Sequence, residues 1–314
     1  MVGAKGFEPS TLWSQTRCAT RLRYAPTCAY CNGWHSLFHS ARRHSMIENG
    51  TLQASDIDYI AVMSTAPPPL AWLAPGQDFP PVDQSWGHGS PAPGLLAGGG
   101  ALDVETLCRA YGHGIFPWFS EGQPILWWSP DPRMVLKVED FRLRPSFKKS
   151  LRKFCKMASS EVRIDTAFEQ VIRACAVRPR RGQAGTWIVP DMIAAYCALH
   201  RAGFAHSVET WVDNQLVGAL YCVALGKSVF GESMFSESAD ASKIALAALV
   251  CFCRQHGIEQ IDCQQNTQHL ASLGAREMAR DLFSRRVAAG LTHLPPKWAF
   301  EPLYWAELLD PTPQ

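Results

Sequence analysis

The string IDCQQNTQHLASLGA at 261–275 sets a carboxylate, Asp262, two residues before a carboxamide, Gln264. In an extended chain such residues project to the same side. A carboxylate at a strand end can hold an ammonium group and accept its proton, base catalysis worth roughly 10² to 10⁴ in rate. The neighbouring amide can orient a carbonyl or an amine. The plainer reading is an aspartate capping the helix that follows. A third candidate, Glu232, lies in FGESMFS at 230–236, at the end of another expected strand. There it can bind a basic side chain, support Asp262 or serve as an ordinary ion-pair partner.

The elements that must position these residues follow from periodicity. Alternation predicts strands over Ser207–Val212, Gln215–Leu225 and Lys227–Glu232, with turns at Asp213-Asn214 and Gly226-Lys227. A helix is expected from about Ala241 to His256, with Asp240 as its cap and Gly257 at its end. Ile258–Gln264 reads as a strand, and Thr267–Leu273 as a short helix closed by Gly274. Earlier helices fit Asp103–Tyr111, with Asp103 as N-cap, then Ala167–Ala176 and Pro190–Arg201. A strand fits near Met134–Val138. The expected class is α+β. A meander, a helix and a strand in that order are similar to an acyltransferase of the GNAT type, which by itself gives no substrate.

Two stretches invite a ligand. Residues 114–133, GIFPWFSEGQPILWWSPDPR, hold five aromatic residues and four prolines. From Arg142 to Lys156 there are seven basic residues and no acidic one. Phe147, Leu151 and Phe154 recur there at helical spacing, with Ser146 as the expected N-cap. That predicts an amphipathic helix with a uniformly positive outer face, suited to a polyanion.

The whole chain, of 314 residues, carries a formal charge of only +2, so the basic segment is a local feature. A hydrophobic fraction of 47% and a charged fraction of 18% are those of a globular protein. The longest apolar helical run, Ile244–Cys253, is too short to span a bilayer. Eleven cysteines, an odd count without framework spacing, imply reduced thiols and a cytoplasmic setting.

Residues 1–62 read differently from the rest. Cys28, Cys31, His35 and His39 form C-x2-C-x3-H-x3-H, whose middle gap is too short for an ordinary zinc finger. The string GFEPSTLWSQTRCATRLRYAP instead resembles conceptual translation across a transfer-RNA gene, because GFEP can be spelled by the usual T-arm sequence. The expectation is an over-extended gene start, the natural start being Met63 or Met46, with a disordered extension as the alternative. The expected organisation is therefore 1–62 as extension, 63–138 as a small N-terminal domain and 139–314 as a GNAT-like catalytic domain.

Taken together, the aromatic string, GTWI at 185–188, AHSVETW at 205–211, FGESMFS, DASKIAL at 240–246 and IDCQQNTQHLASLGA closely resemble the leucyl/phenylalanyl-tRNA–protein transferases. The resemblance runs from about residue 69 to 305. It implies transfer of leucine or phenylalanine, with methionine as a further candidate, from aminoacyl-tRNA to proteins beginning with Arg or Lys. It also implies marking for N-end-rule degradation, a monomer, and no metal or cofactor, because the aminoacyl ester is already activated. It makes Asp262 and Gln264 the catalytic pair and Glu232 an acceptor-binding residue. Leu220, Val229, Met234, Leu249 and Ile261 match its aminoacyl pocket, although the residues alone read as core. Leu220, Val229 and Leu249 depart from the bulkier or more flexible residues of the family. Tyr111, Trp118 and Trp187 match residues around the terminal adenosine of the tRNA, where unpaired bases stack on rings. Lys149, Arg152 and Lys153 match a cluster on the tRNA stem, and Ser242 with Lys243 is a further candidate phosphate site.

Two rivals stand beside this reading. An acetyl-CoA-dependent GNAT enzyme needs a glycine-rich pyrophosphate loop, and SMFSESADASK at 233–243 contains no glycine. A non-catalytic RNA-binding module would use the basic helix and the rings but has no use for Asp262 and Gln264.

Overall fold

The computed structural model describes residues 69–177 and 188–309. The chain divides into two units. Among the described residues the second unit comprises only 69–70 and 86–93, where the Ser90 hydroxyl donates to the Gly87 carbonyl at 2.7 Å. The first unit carries everything else described. The expected zinc-like motif, both candidate start methionines and Trp187 fall outside the described residues.

The first unit contains two sheets. The smaller has the order β1-β2-β4-β3, from β1 (Ala71–Leu73), β2 (Leu95–Gly99), β3 (Phe116–Pro117) and β4 (Leu126–Trp128). Between β2 and β3 runs α1 (Val104–Gly112). Its N-cap is Asp103, whose carboxylate accepts from the Thr106 amide at 2.8 Å, as the sequence predicts.

The larger sheet has seven strands in the order β11-β5-β10-β9-β8-β7-β6. These are β5 (Arg133–Lys137), β6 (Ser160–Ile164), β7 (Ala205–Val212), β8 (Gln215–Leu225), β9 (Ser228–Ser236), β10 (Gln260–Asp262) and β11 (Arg276–Met278). β7, β8 and β9 form the expected antiparallel meander, and β10 joins β9 in parallel. Helices α2 (Pro145–Lys156), α3 (Phe168–Val177) and α4 (Pro190–Arg201) precede the meander, and α5 (Ala241–Gln255) separates β9 from β10. After β10 come α6 (Gln268–Ser272), α7 (Arg280–Leu291) and α8 (Ala306–Leu309).

The expected Pro190–Arg201 helix and Gln215–Leu225 strand match the structure end to end. Elsewhere caps and bounds differ from the expectation, most of all at three places. The helix α2 is capped by Arg144, with Pro145 rather than Ser146 opening it, because proline holds the helical φ and needs no amide partner in the first turn. The strand β10 stops at Asp262, since Gln264 takes a left-handed conformation at φ 62° and cannot continue a ladder. The strand β9 runs past Glu232 to Ser236.

The core explains α5. It is apolar almost all round, and twelve of its fifteen residues are buried between the meander and the C-terminal segment. Gly218 on β8 permits this close approach, because a Cβ there would lie 2.6 Å from that of Ala241. The opposite face of the meander is covered by α3 and α4, where Tyr221 packs edge-on against Phe168 and Tyr196.

Candidate active site

The five apolar residues singled out from the sequence lie in one cluster. Leu220, Val229, Met234 and Ile261 project from β8, β9 and β10 onto α5, which supplies Leu249. On the other face of the sheet stand the polar candidates. What separates Met234 from Glu232 is a β-bulge. Tyr221 pairs with Ser233 but Cys222 pairs with Gly231, which leaves Glu232 as the extra residue of β9. Strict alternation would put Glu232 and Met234 on one face. The bulge lets Glu232 turn toward α1 and α4 while Met234 returns to the apolar core.

β9 and β10 pair only at Val229–Ile261 and Phe230–Asp262. Beyond that, β10 ends and β9 continues. Gln264 lies across the resulting gap, and its left-handed backbone, not strand geometry, aims it there. Its Nε2 donates to Glu232 Oε1 at 2.9 Å, and its backbone N–H donates to Asp262 Oδ1 at 2.9 Å. The three residues expected to carry chemistry are thus joined in one network.

Glu232 is 1% exposed. Besides Gln264, the Tyr111 hydroxyl donates to its Oε1 at 2.7 Å and the Tyr196 hydroxyl to its Oε2 at 3.3 Å. The two tyrosine oxygens also lie within hydrogen-bonding reach of each other, so one hydroxyl proton is shared between that contact and the carboxylate. Burial pushes the Glu232 carboxyl up to about 8, aided by the Asp262 charge and opposed by the tyrosine hydrogen bonds and Arg133. Burial and the Glu232 charge raise both tyrosine hydroxyls well above their ordinary value, so they remain protonated donors.

Asp262 has a different environment. Arg133 donates from Nε to Oδ1 at 2.8 Å and from Nη2 to Oδ2 at 2.7 Å, a buried bidentate pair. The third guanidinium nitrogen, Nη1, donates to the Gly114 carbonyl at 3.0 Å. The guanidinium lies over the rings of Phe116 and Phe283 at 4.8 and 4.7 Å.

The remaining sequence candidates lie as follows. Tyr111 is fully buried, its ring against Phe230 and its hydroxyl on Glu232, so it offers no open face for stacking a base. Trp118 is 6% exposed and packs against Trp128, whose indole N–H donates to its carbonyl at 2.7 Å. Most rings of the aromatic loop are structural: Trp127 donates to Gly99, and Phe116 supports Arg133. On α2 the apolar face of Phe147, Leu151 and Phe154 is buried, and Lys149, Arg152 and Lys153 are all exposed. The Lys243 ammonium is bonded to Asp240 at 2.7 Å, and the Ser242 amide to the Ser236 hydroxyl at 3.1 Å, so both are already engaged. Asp240 occupies the N-cap of α5 in a left-handed conformation without a side-chain capping bond.

Sequence reasoning missed Arg133 and Tyr196. Arg133 had a legible signal, a cation at the head of the apolar run MVL in a strand whose first four residues are buried. Tyr196 had none, since an aromatic residue on the apolar side of α4 reads as core.

The description "Leucyl/phenylalanyl-tRNA protein transferase" belongs to the family model that matches residues 135–288, and its N-terminal-domain counterpart matches 100–131. Among curated relatives, the leucyl/phenylalanyl-tRNA–protein transferase of Albidiferax ferrireducens is 69% identical over 249 residues, covering 79% of this chain and 98% of that protein. The same-named protein of a Polaromonas species is 62% identical over 247 residues, covering 79% and 97%. That of Paraburkholderia xenovorans is 54% identical over 242 residues, covering 77% and 99%.

Proposed function

Because this chain belongs to the leucyl/phenylalanyl-tRNA–protein transferase family, an aminoacyltransferase family, we propose that the gap between β9 and β10 is its amide-forming centre. The acceptor protein's α-amine attacks the ester carbonyl carbon of the aminoacyl-tRNA. A C–N bond forms, the C–O bond to the terminal ribose breaks, and the ribose oxygen leaves as a hydroxyl. The ester supplies the driving force, so the residues need only position the groups and move one proton.

The observation that carries this reading is Glu232, a buried carboxylate at a bulge, facing the gap and held by three neutral donors. An α-amine has an ordinary pKa of about 7.7–8.0. Glu232, raised to about 8, is matched to accept a proton from it. Its role is therefore, as a carboxylate, to take the proton that the attacking amine sheds as the C–N bond forms and to pass it to the leaving ribose oxygen, a stronger part than the acceptor-binding role expected from sequence. Gln264 orients the reacting carbonyl. Asp262, whose two oxygens are engaged by Arg133, serves as the anchor of Gln264.

The core cluster of Leu220, Val229, Met234, Leu249 and Ile261 takes the leucine or phenylalanine side chain. Methionine at position 234 suits a pocket that takes side chains of different shape. Trp118 contacts the terminal adenosine, and Tyr111 supports Glu232 instead of stacking. The exposed Lys149, Arg152 and Lys153 bind phosphates of the tRNA stem without regard to sequence. The antiparallel meander, the buried helix α5 and the parallel β10 support a GNAT-like catalytic domain at 139–314, preceded by a small domain at 63–138 that lends it β5. The enzyme acts as a cytoplasmic monomer on proteins that begin with Arg or Lys, marking them for N-end-rule degradation.

The test offers the full chain labelled Leu-tRNA or Phe-tRNA with one protein bearing N-terminal Arg and another bearing N-terminal Ala. Label on the Arg protein alone is the expected result. Equal label on both would remove the acceptor assignment.

A further inference from the structure

We propose that Arg133 is a positioning residue for amide formation, setting Gln264 at Glu232 by way of Asp262. This inference rests on the reading of Glu232 and Gln264 just given.

Every guanidinium nitrogen of Arg133 is engaged. The residue is fully buried. Its Nε and Nη2 fork onto Asp262 and its Nη1 reaches the Gly114 carbonyl. Rings of Phe116 and Phe283 lie on the guanidinium plane. A planar group held by three directed bonds and two rings has little freedom left, and it fixes the plane of the Asp262 carboxylate.

That plane matters because of what Asp262 holds in turn. Its Oδ1 accepts the Gln264 backbone N–H, and Gln264 is left-handed at φ 62°, a conformation uncommon for a residue with a side chain. The hydrogen bond from Asp262 selects that conformation, which carries the carboxamide to Glu232. Gly114 opens the aromatic loop, and its carbonyl also accepts from the Ser129 hydroxyl at 3.3 Å. One guanidinium therefore ties the start of the aromatic loop to the residue that orients the ester. A lysine at this position would supply the charge but not the two parallel donors.

The experiment compares Arg133→Lys, Phe283→Leu, Glu232→Gln and the wild type, all as full chains. Each is assayed for single-turnover transfer, for KM toward aminoacyl-tRNA and the acceptor, and for Tm. Arg133→Lys is expected to lower kcat by about 50-fold while KM changes less than about twofold, as lost positioning requires. A folded Arg133→Lys enzyme with near wild-type kcat overturns the proposal, because charge alone would then suffice. If Arg133→Lys does not fold, Phe283→Leu decides, since it loosens the guanidinium from α7 without altering a charge. A kcat about fivefold lower at unchanged KM supports positioning, and an unchanged kcat overturns it. Glu232→Gln separates the two levels. Should it retain full activity, the underlying reading fails. Should it lose activity while both other variants keep theirs, only the role of Arg133 fails.

Discussion

Replacing Glu232 with Gln should make the protein more stable, and increasingly so as pH rises. The wild-type carboxyl moves from its ordinary value of 4.5 to about 8 on folding, chiefly because burial disfavours its charged form. Between those values the native state keeps a proton that the unfolded chain has released. Stability therefore falls as pH rises through this window, by at most about 1.4 kcal/mol per pH unit. The contribution is complete below 4.5 and lost above about 8, for a total of about 5 kcal/mol. Glutamine keeps the shape and can still accept from Tyr111 and Gln264, but it does not titrate. Urea unfolding of both proteins from about pH 5 to 8 should show their stability difference widening by about 4 kcal/mol in favour of the variant. Curves that stay parallel to within about 0.5 kcal/mol would mean that Glu232 titrates alike in both states and is not shifted by burial. The gain in stability should accompany a loss of activity, the usual relation for a buried catalytic charge.

Other perturbations reach separate parts of the molecule. Changing Lys149, Arg152 and Lys153 together to Gln should weaken tRNA binding and flatten its salt dependence, lowering the slope of log K against log salt by about 2 to 3 in filter binding. Leu249→Phe should fill the apolar cluster and favour leucine over phenylalanine by roughly tenfold in a competition assay between the two charged tRNAs. Gly274→Ala should lower stability by upward of about 2 kcal/mol in thermal melts. At that position φ is +110° and a Cβ would lie 2.0 Å from the Asp140 carbonyl oxygen.

Periodicity located most strands of the larger sheet because they alternate, and it located helices whose ends are clear, such as those opened by Asp103 and Pro190. It failed where one residue departs from regular geometry. The bulge at Glu232 has no signature in FGESMFS, yet it decides which face receives the carboxylate. Gln264 was placed beside Asp262 for the wrong reason, since its positive φ brings it there and a strand would not. The expected base, Asp262, had a partner 129 residues away that no local pattern announces. The aromatic loop was legible as a special segment, but its rings mostly hold β2, β4 and Arg133 in place.

The pH dependence of single-turnover transfer tests the account most directly. If Glu232 and the acceptor amine must both lose a proton, log rate for the wild type rises with a limiting slope of about 2 on the acid side. Glu232→Gln should then show a slope of about 1, set by the amine alone, at a rate about 10² to 10⁴ lower. A variant with the wild-type profile and rate would contradict the assignment of Glu232 as the proton acceptor.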